Sequence, residues 1–352
     1  MANQMRNYDY SLDAIKGFSC ILMIIAHVPI YFNGNERYFQ VLAGLAPILF
    51  FAVSGVTTTF QSQRRSFRSL FYFYSLFGVL GFSYNLMWRP DYHGFLVSDI
   101  PQIIALGVLS IYLIEKYLKP GLYIYSLISI VIFSIHIFFG RYLPDFPLKN
   151  FLFADNIGFA YFPWFFAFSA GVFAYRCKNI LNLILAIAST LLLSILLIGK
   201  FNYESFIKYN MSIEYFLLSL ILLFSVFYIC RKMYYSPQNI ILFLGRNSFI
   251  YLFFHLFFIF TLDWLGLSNL YILIIWCLVF ICTYFAMRVA IYLNRYIESY
   301  FNNKLIWLLL VISTVTIPFL ISPGKLVILC EFLVGVLFSL NYKSLSSITK
   351  SK

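Results

Sequence analysis

Charge is what this chain has least of. Only 11% of its 352 residues are Asp, Glu, Lys or Arg, where a water-soluble globular protein carries about 25%. That shortfall excludes a conventional soluble domain. Ten-residue segments of alternating hydrophobicity are missing too, which argues against a porin-like barrel. The six cysteines, Cys20, Cys177, Cys230, Cys277, Cys282 and Cys330, lie in apolar runs or at their ends, and no pair has metal-ligand spacing. Neither a disulfide framework nor a metal site is expected. No Gly-, Ser- or Pro-rich stretch marks a linker, and no internal repeat points to the inverted halves of a transporter. One domain over residues 1–352 is expected, without a separate soluble domain. The first apolar run is too long for a cleaved signal peptide and lacks a small-x-small exit, so none is expected.

What is present is apolar. Hydrophobic residues make up 62% of the chain, with 42 Phe and 28 Tyr. They come in runs of about 20 residues, the length that crosses a bilayer. The fold class expected is all-α, a polytopic transmembrane bundle of about 10–12 spans. The spans fall near residues 14–33, 41–60, 68–88, 100–117, 121–140, 159–175, 180–199, 211–230, 245–263, 269–292, 305–322 and 325–341. Twelve spans return both termini to one side. Eighteen of the 25 Lys and Arg then lie on the N-terminal side and seven on the other. This asymmetry puts both termini in the cytoplasm. The net charge of +12 is thus a topology signal, and a nucleic-acid partner is not expected. The longest outward segments, 89–99, 141–158 and 200–210, hold Asp91, His93, Asp99, Asp145, Asp155 and Glu204. They read either as solvated loops or as a surface for a polar acceptor.

Four motifs carry polar groups into this apolar background. In the first, Asp13, Lys16 and His27 share the first span. At about 100° per residue, Lys16 and His27 fall within about 20° of each other, and Asp13 about 60° from Lys16. His27 lies about 16 Å beyond Lys16, roughly halfway through a 30 Å core. An ionisable side chain at that depth marks function by default. A neutral imidazole there has a lone pair for general-base work. Asp13 lies about 21 Å from His27 by the same rise, so it pairs with Lys16 and does not orient the imidazole directly. The alternative is a structural histidine bonded to a neighbouring helix.

The second motif, Ala46 to Gly55, ends in Ser54-Gly55, small residues that let helices approach closely. In the third, Arg65 and Arg68 share a face if helical. They read either as a phosphate clamp or as a positive-inside anchor. The fourth runs from Leu244 to His255 and sets Ser248, Tyr251 and His255 on one face. His255 is mid-span, packing there or lining the cavity of His27. Glu331 is an acid inside the last span, a partner for a histidine or lysine elsewhere unless that span is misplaced.

Together these motifs resemble the integral-membrane acyltransferase 3 family. The family's opening Arg, ten residues and His are matched by Lys16 and His27, with Lys16 replacing the Arg. Its Phe-Phe-x-x-Ser-Gly element is similar to Phe50-Phe51-Ala52-Val53-Ser54-Gly55, and its Arg-x-x-Arg to Arg65 and Arg68. Its late Ser-Tyr-x-x-Tyr-Leu-x-His element is similar to Ser248 through His255, with the His one residue late. The stretches Asp99–Gly107 and Tyr161–Gly171 look more like the heparan-glucosaminide N-acetyltransferase group of the same superfamily.

The resemblance implies an O-acetyltransferase-like enzyme of the cytoplasmic membrane. It implies acyl-coenzyme A, chiefly acetyl-CoA, as cytoplasmic donor and a hydroxyl or amine of a cell-envelope glycan or glycolipid as acceptor. On that reading His27 is the general base or acyl carrier, Asp13 and Lys16 support it, and Lys16, Arg65 and Arg68 hold donor phosphates. Ser54, Ser248, Tyr251, His255 and Glu331 surround the substrates. The rival reading is a transporter or flippase for a lipid-linked or acidic solute, which intramembrane ionisable residues also fit.

Overall fold

The computed structural model describes residues 8–31, 36–140, 149–153, 158–198, 202–206, 208, 211–267 and 270–349, and among them every regular element is helical. The α-helices run α1 (Tyr10–Tyr31), α2 (Glu36–Ser62), α3 (Phe67–Leu80), α4 (Phe82–Trp88), α5 (Ile100–Leu113), α6 (Leu122–Ile135), α7 (Lys149–Leu152) and α8 (Tyr161–Arg176). They continue as α9 (Asn179–Leu197), α10 (Ile213–Cys230), α11 (Ile240–Arg246), α12 (Ser248–Trp264), α13 (Ile272–Asn294), α14 (Lys304–Leu320) and α15 (Lys325–Ile348). Local chemistry fixes several starts. Asp99 and Gln102 form a capping box at α5 with Pro101 in its first turn, satisfying amides that a helix start leaves free. The Ser66 and Ser212 hydroxyls accept from Ser69 and Tyr215 amides at the starts of α3 and α10.

Each of the twelve expected spans falls on a helix. By length and composition, nine stretches among the described residues suffice to cross a membrane, and the broken pair α11–α12 makes a tenth. The other two expected spans, α8 with 16 residues and α14 with 17, fall outside that count by length. The α8 helix is buried along nearly its whole length, from Pro163 to Ala174, so its apolar surface is spent on neighbouring helices. The outer helices are the reverse. On α9, Ile184, Leu191 and Ile195 are more than half exposed, as are Leu273, Phe285 and Val289 on α13. Exposed apolar area on that scale belongs against lipid.

Glycines set the inner crossings. A Cβ on Gly55 of α2 would lie 2.3 Å from the Phe168 carbonyl oxygen of α8, and one on Gly171 of α8 would lie 2.4 Å from the Ala52 Cα. On α1 a Cβ at Gly17 would lie 2.1 Å from the Ile241 carbonyl oxygen, and one at Gly245 of α11 would lie 1.8 Å from that of Asp13. These backbones touch because a side chain is missing at each contact. The central group α1, α2, α8, α11 and α12 is held in this way, and the polar residues sit inside it.

Candidate functional site

The α1–α11 contact positions the first set of charges. It brings Arg246, next to Gly245, against Asp13. The Asp13 carboxylate is buried; it meets the Arg246 Nε and the Lys16 Nζ at 3.2 Å each, and the Tyr8 hydroxyl donates to it at 2.7 Å. Burial, together with that bond, pushes the Tyr8 phenol up to about 12. Two cations and a phenol thus satisfy the buried carboxylate oxygens. The carboxylate fixes Lys16 and α11. It has no contact with His27, as the rise per residue requires.

The chain breaks between α11 and α12, bending 97°. Asn247 stands at the break, its side-chain amide donating to the Phe243 carbonyl at 2.8 Å. The new direction carries α12 alongside α1 and places two histidines side by side. His27 Nδ1 lies 3.0 Å from His255 Nε2, with the rings stacked at 18° and centroids 5.2 Å apart. His255 Nδ1 lies 2.8 Å from the Tyr251 carbonyl oxygen one turn back. Trp88, at the end of α4, stands edge-on to His27 at 5.3 Å.

The hydrogen bonds dictate the tautomers. A carbonyl oxygen only accepts, so His255 Nδ1 carries a hydrogen and donates it. In the neutral ring Nε2 is then a lone pair. It accepts from His27 Nδ1, which must carry the hydrogen. The lone pair of His27 is left on Nε2, facing away from His255. His255 is fully buried and His27 partly buried, so the second ring orients the first. A base held by a group bonded to its other nitrogen is the arrangement of hydrolytic triads, here with a neutral imidazole in the orienting place.

Two cavities meet at Lys16. The larger, about 750 Å³, is bordered by the cations Lys16, Arg64 and Arg176 and the carboxylates of Asp9 and Asp13. The smaller, about 140 Å³, is mainly apolar and reaches from Lys16 past Ser54, Ser248 and Phe50 to Leu252. Leu252 is one helical turn from His255. Lys16 borders both cavities, and among the described residues neither histidine lines either one. Arg176 is paired with Glu115 at 2.7 Å, and Glu115 also accepts from Tyr125. Arg64 is exposed.

The other expected residues fall elsewhere. Arg65 donates from Nη2 to the Ser346 hydroxyl at 2.5 Å, and its own carbonyl accepts from Tyr112 at 2.8 Å. Arg68 is exposed over the Tyr72 ring at 5.7 Å. Among the described residues neither borders the chamber of Lys16, which Arg64 and Arg176 occupy instead. The cause is the turn at Ser66: it starts α3 and swings Arg68 to another face. Tyr251 stacks on His255, with centroids 5.3 Å apart. Its hydroxyl is buried with no hydrogen-bond partner among the described residues. Glu331 is fully buried with both carboxyl oxygens unpartnered there, and it contacts neither histidine nor Lys16.

Several residues of the site lack any prominent sequence signal. Arg246 stands beside a glycine in the fourth motif, and only the fold joins it to Asp13. Lys208 lies close enough to bear electrostatically on both His27 and Asp99, with its ammonium 4.7 Å from the Phe159 ring centroid. It stands in the segment 200–210 that the sequence offered as an acceptor surface. Among the described residues no three His, Cys, Asp or Glu side chains gather as a metal site, and the six cysteines are free. Comparison with protein-family models, with curated proteins and with solved structures returns no match for this chain.

Proposed function

We propose that this protein is a membrane acyltransferase. It moves an acyl group, acetyl in the simplest case, from cytoplasmic acyl-coenzyme A to a hydroxyl or amine of an envelope glycan or glycolipid. The observation that carries the reading is the chain of bonds from His27 Nδ1 through His255 to the Tyr251 carbonyl, which leaves His27 Nε2 as an oriented lone pair.

On this reading the membrane is the cytoplasmic one, with both termini inside. The donor's phosphates lie in the chamber of Lys16, Arg64 and Arg176, a revision of the expected pair Arg65 and Arg68. Two or three cations suit a ligand rich in phosphate oxygens. The pantetheine arm and acyl group pass Lys16 into the narrow cavity beside Ser54 and Ser248. His27 Nε2 takes the proton of the acceptor hydroxyl. The oxygen attacks the thioester carbonyl, the carbon–sulfur bond breaks, and the departing thiolate takes the proton back from the imidazolium. While His27 is charged, its Nδ1–H bond to His255 becomes charge-assisted and stronger. Alternatively Nε2 attacks the thioester carbonyl, the carbon–sulfur bond breaks and coenzyme A leaves as the thiolate; the ring then passes the acyl group to the acceptor oxygen, whose proton offsets the one the thiolate takes up from water. Lys208 lies at the acceptor's side of the pair.

One observation favours the transport reading. A helix broken at mid-course, as between α11 and α12, is a recurrent part of transporter binding sites. Thermal unfolding with millimolar coenzyme A separates the two. The acyltransferase reading expects stabilisation that Arg64→Ala and Arg176→Ala diminish; no shift at that concentration favours transport.

A further inference from the structure

Away from the histidine pair, α3, α14 and α15 enclose a groove of about 540 Å³, within the usual size range of ligand pockets. Its composition changes along its length. Arg68 stands in the first turn of α3, followed one and two turns later by Tyr72 and Leu76. Lys304 opens α14, followed by Leu308 and Val311. Both helices begin at the same end of the groove. One end therefore carries two cations, and the walls running about 12 Å from it are apolar or aromatic.

Neither cation is neutralised. Among the described residues Arg68 has no acidic partner, only the face of Tyr72, and Lys304 has no ion pair. Tyr72 and Leu308 are about half exposed, so the groove opens sideways, where the apolar helices meet lipid. A soluble anion needs no apolar wall, and an acyl chain needs no cations. One molecule in contact with such helices combines both.

We propose that this groove binds an anionic phospholipid, its phosphate between Arg68 and Lys304 and one acyl chain along Leu76, Leu308 and Val311. The site is independent of the histidine pair and of the acyl-transfer reading. It places an anionic headgroup at the end where the positive-inside excess of the sequence also lies.

The test uses the full-length protein purified in neutral detergent. Phosphatidylglycerol and phosphatidylcholine with the same acyl chains are added separately, and bound lipid is read by native mass spectrometry beside the thermal midpoint. Phosphatidylglycerol should be retained and should raise the midpoint; phosphatidylcholine should do neither. Lys304→Gln, an exposed substitution, should weaken retention about fivefold, the equivalent of about 1 kcal/mol for one cation at an anionic lipid surface. Val311→Trp, which fills the groove without touching charge, should weaken it too. Equal retention of the two lipids, or retention unchanged in both variants, overturns the proposal. So does displacement of the lipid by free coenzyme A or inorganic phosphate, which would make the groove a site for soluble phosphate.

Discussion

The chemistry proposed for His27 rests on the atom behind it. A lone imidazole at mid-span can turn either nitrogen toward a substrate. The bond to His255 Nε2 at 3.0 Å selects one tautomer and one face. His255→Leu should therefore lower acyl transfer by about 10- to 100-fold, the loss of a hydrogen bond to a group that becomes charged, while leaving the protein in the membrane. His255→Gln restores an acceptor at the end of a similar side chain and should recover part of the rate; transfer rates in isolated membranes check both. If Gln is no better than Leu, the second ring is packing. Sequence periodicity could put Ser248, Tyr251 and His255 on one face of a helix and Lys16 and His27 on one face of another. It could not show that the two faces meet, because that depends on the bend at Asn247. The two arginines Arg65 and Arg68 part for a related reason. Spacing three apart predicts a shared face only inside a helix, and Ser66 starts one between Arg65 and Arg68.

At the scale of elements, missing side chains decide the crossings. Gly245→Ala would set a Cβ 1.8 Å from the Asp13 carbonyl oxygen, so α11 must move and Arg246 must leave Asp13. The expected loss is about 1–3 kcal/mol, as for overpacked cores, read as a lower thermal midpoint. Gly266, where an added Cβ meets nothing within 4 Å, is a control for the space argument, although its positive φ adds local strain. The smaller cavity makes a second prediction. Phe50 narrows it near Ser54, so Phe50→Ala should raise kcat/KM for a butanoyl donor relative to an acetyl donor by about tenfold. Helix positions were legible because apolar runs of bilayer length need no tertiary context. Helix lengths were less so: α8 starts two residues late and α14 ends two early, and an apolar run looks the same whether lipid or protein covers it. Small residues such as Gly55 announced close approach, and the structure supplies the partner, Phe168.

For the whole molecule, the distribution of Lys and Arg predicts both termini in the cytoplasm. Reporter fusions at residue 352 and in the 200–210 segment should read opposite sides of the membrane. Orientation matters to the mechanism, since the basic chamber must face acyl-coenzyme A and Lys208 must face the acceptor. The two cavities bordering Lys16 and the paired histidines belong to one bundle. The most direct measurement follows labelled acetyl from acetyl-coenzyme A into envelope glycan, in membranes holding equal amounts of wild-type or His27→Ala protein. A general base contributes about 10²–10⁴-fold, so the account predicts incorporation with wild type and only background with His27→Ala. Undiminished labelling with His27→Ala, or none with wild type, would contradict it.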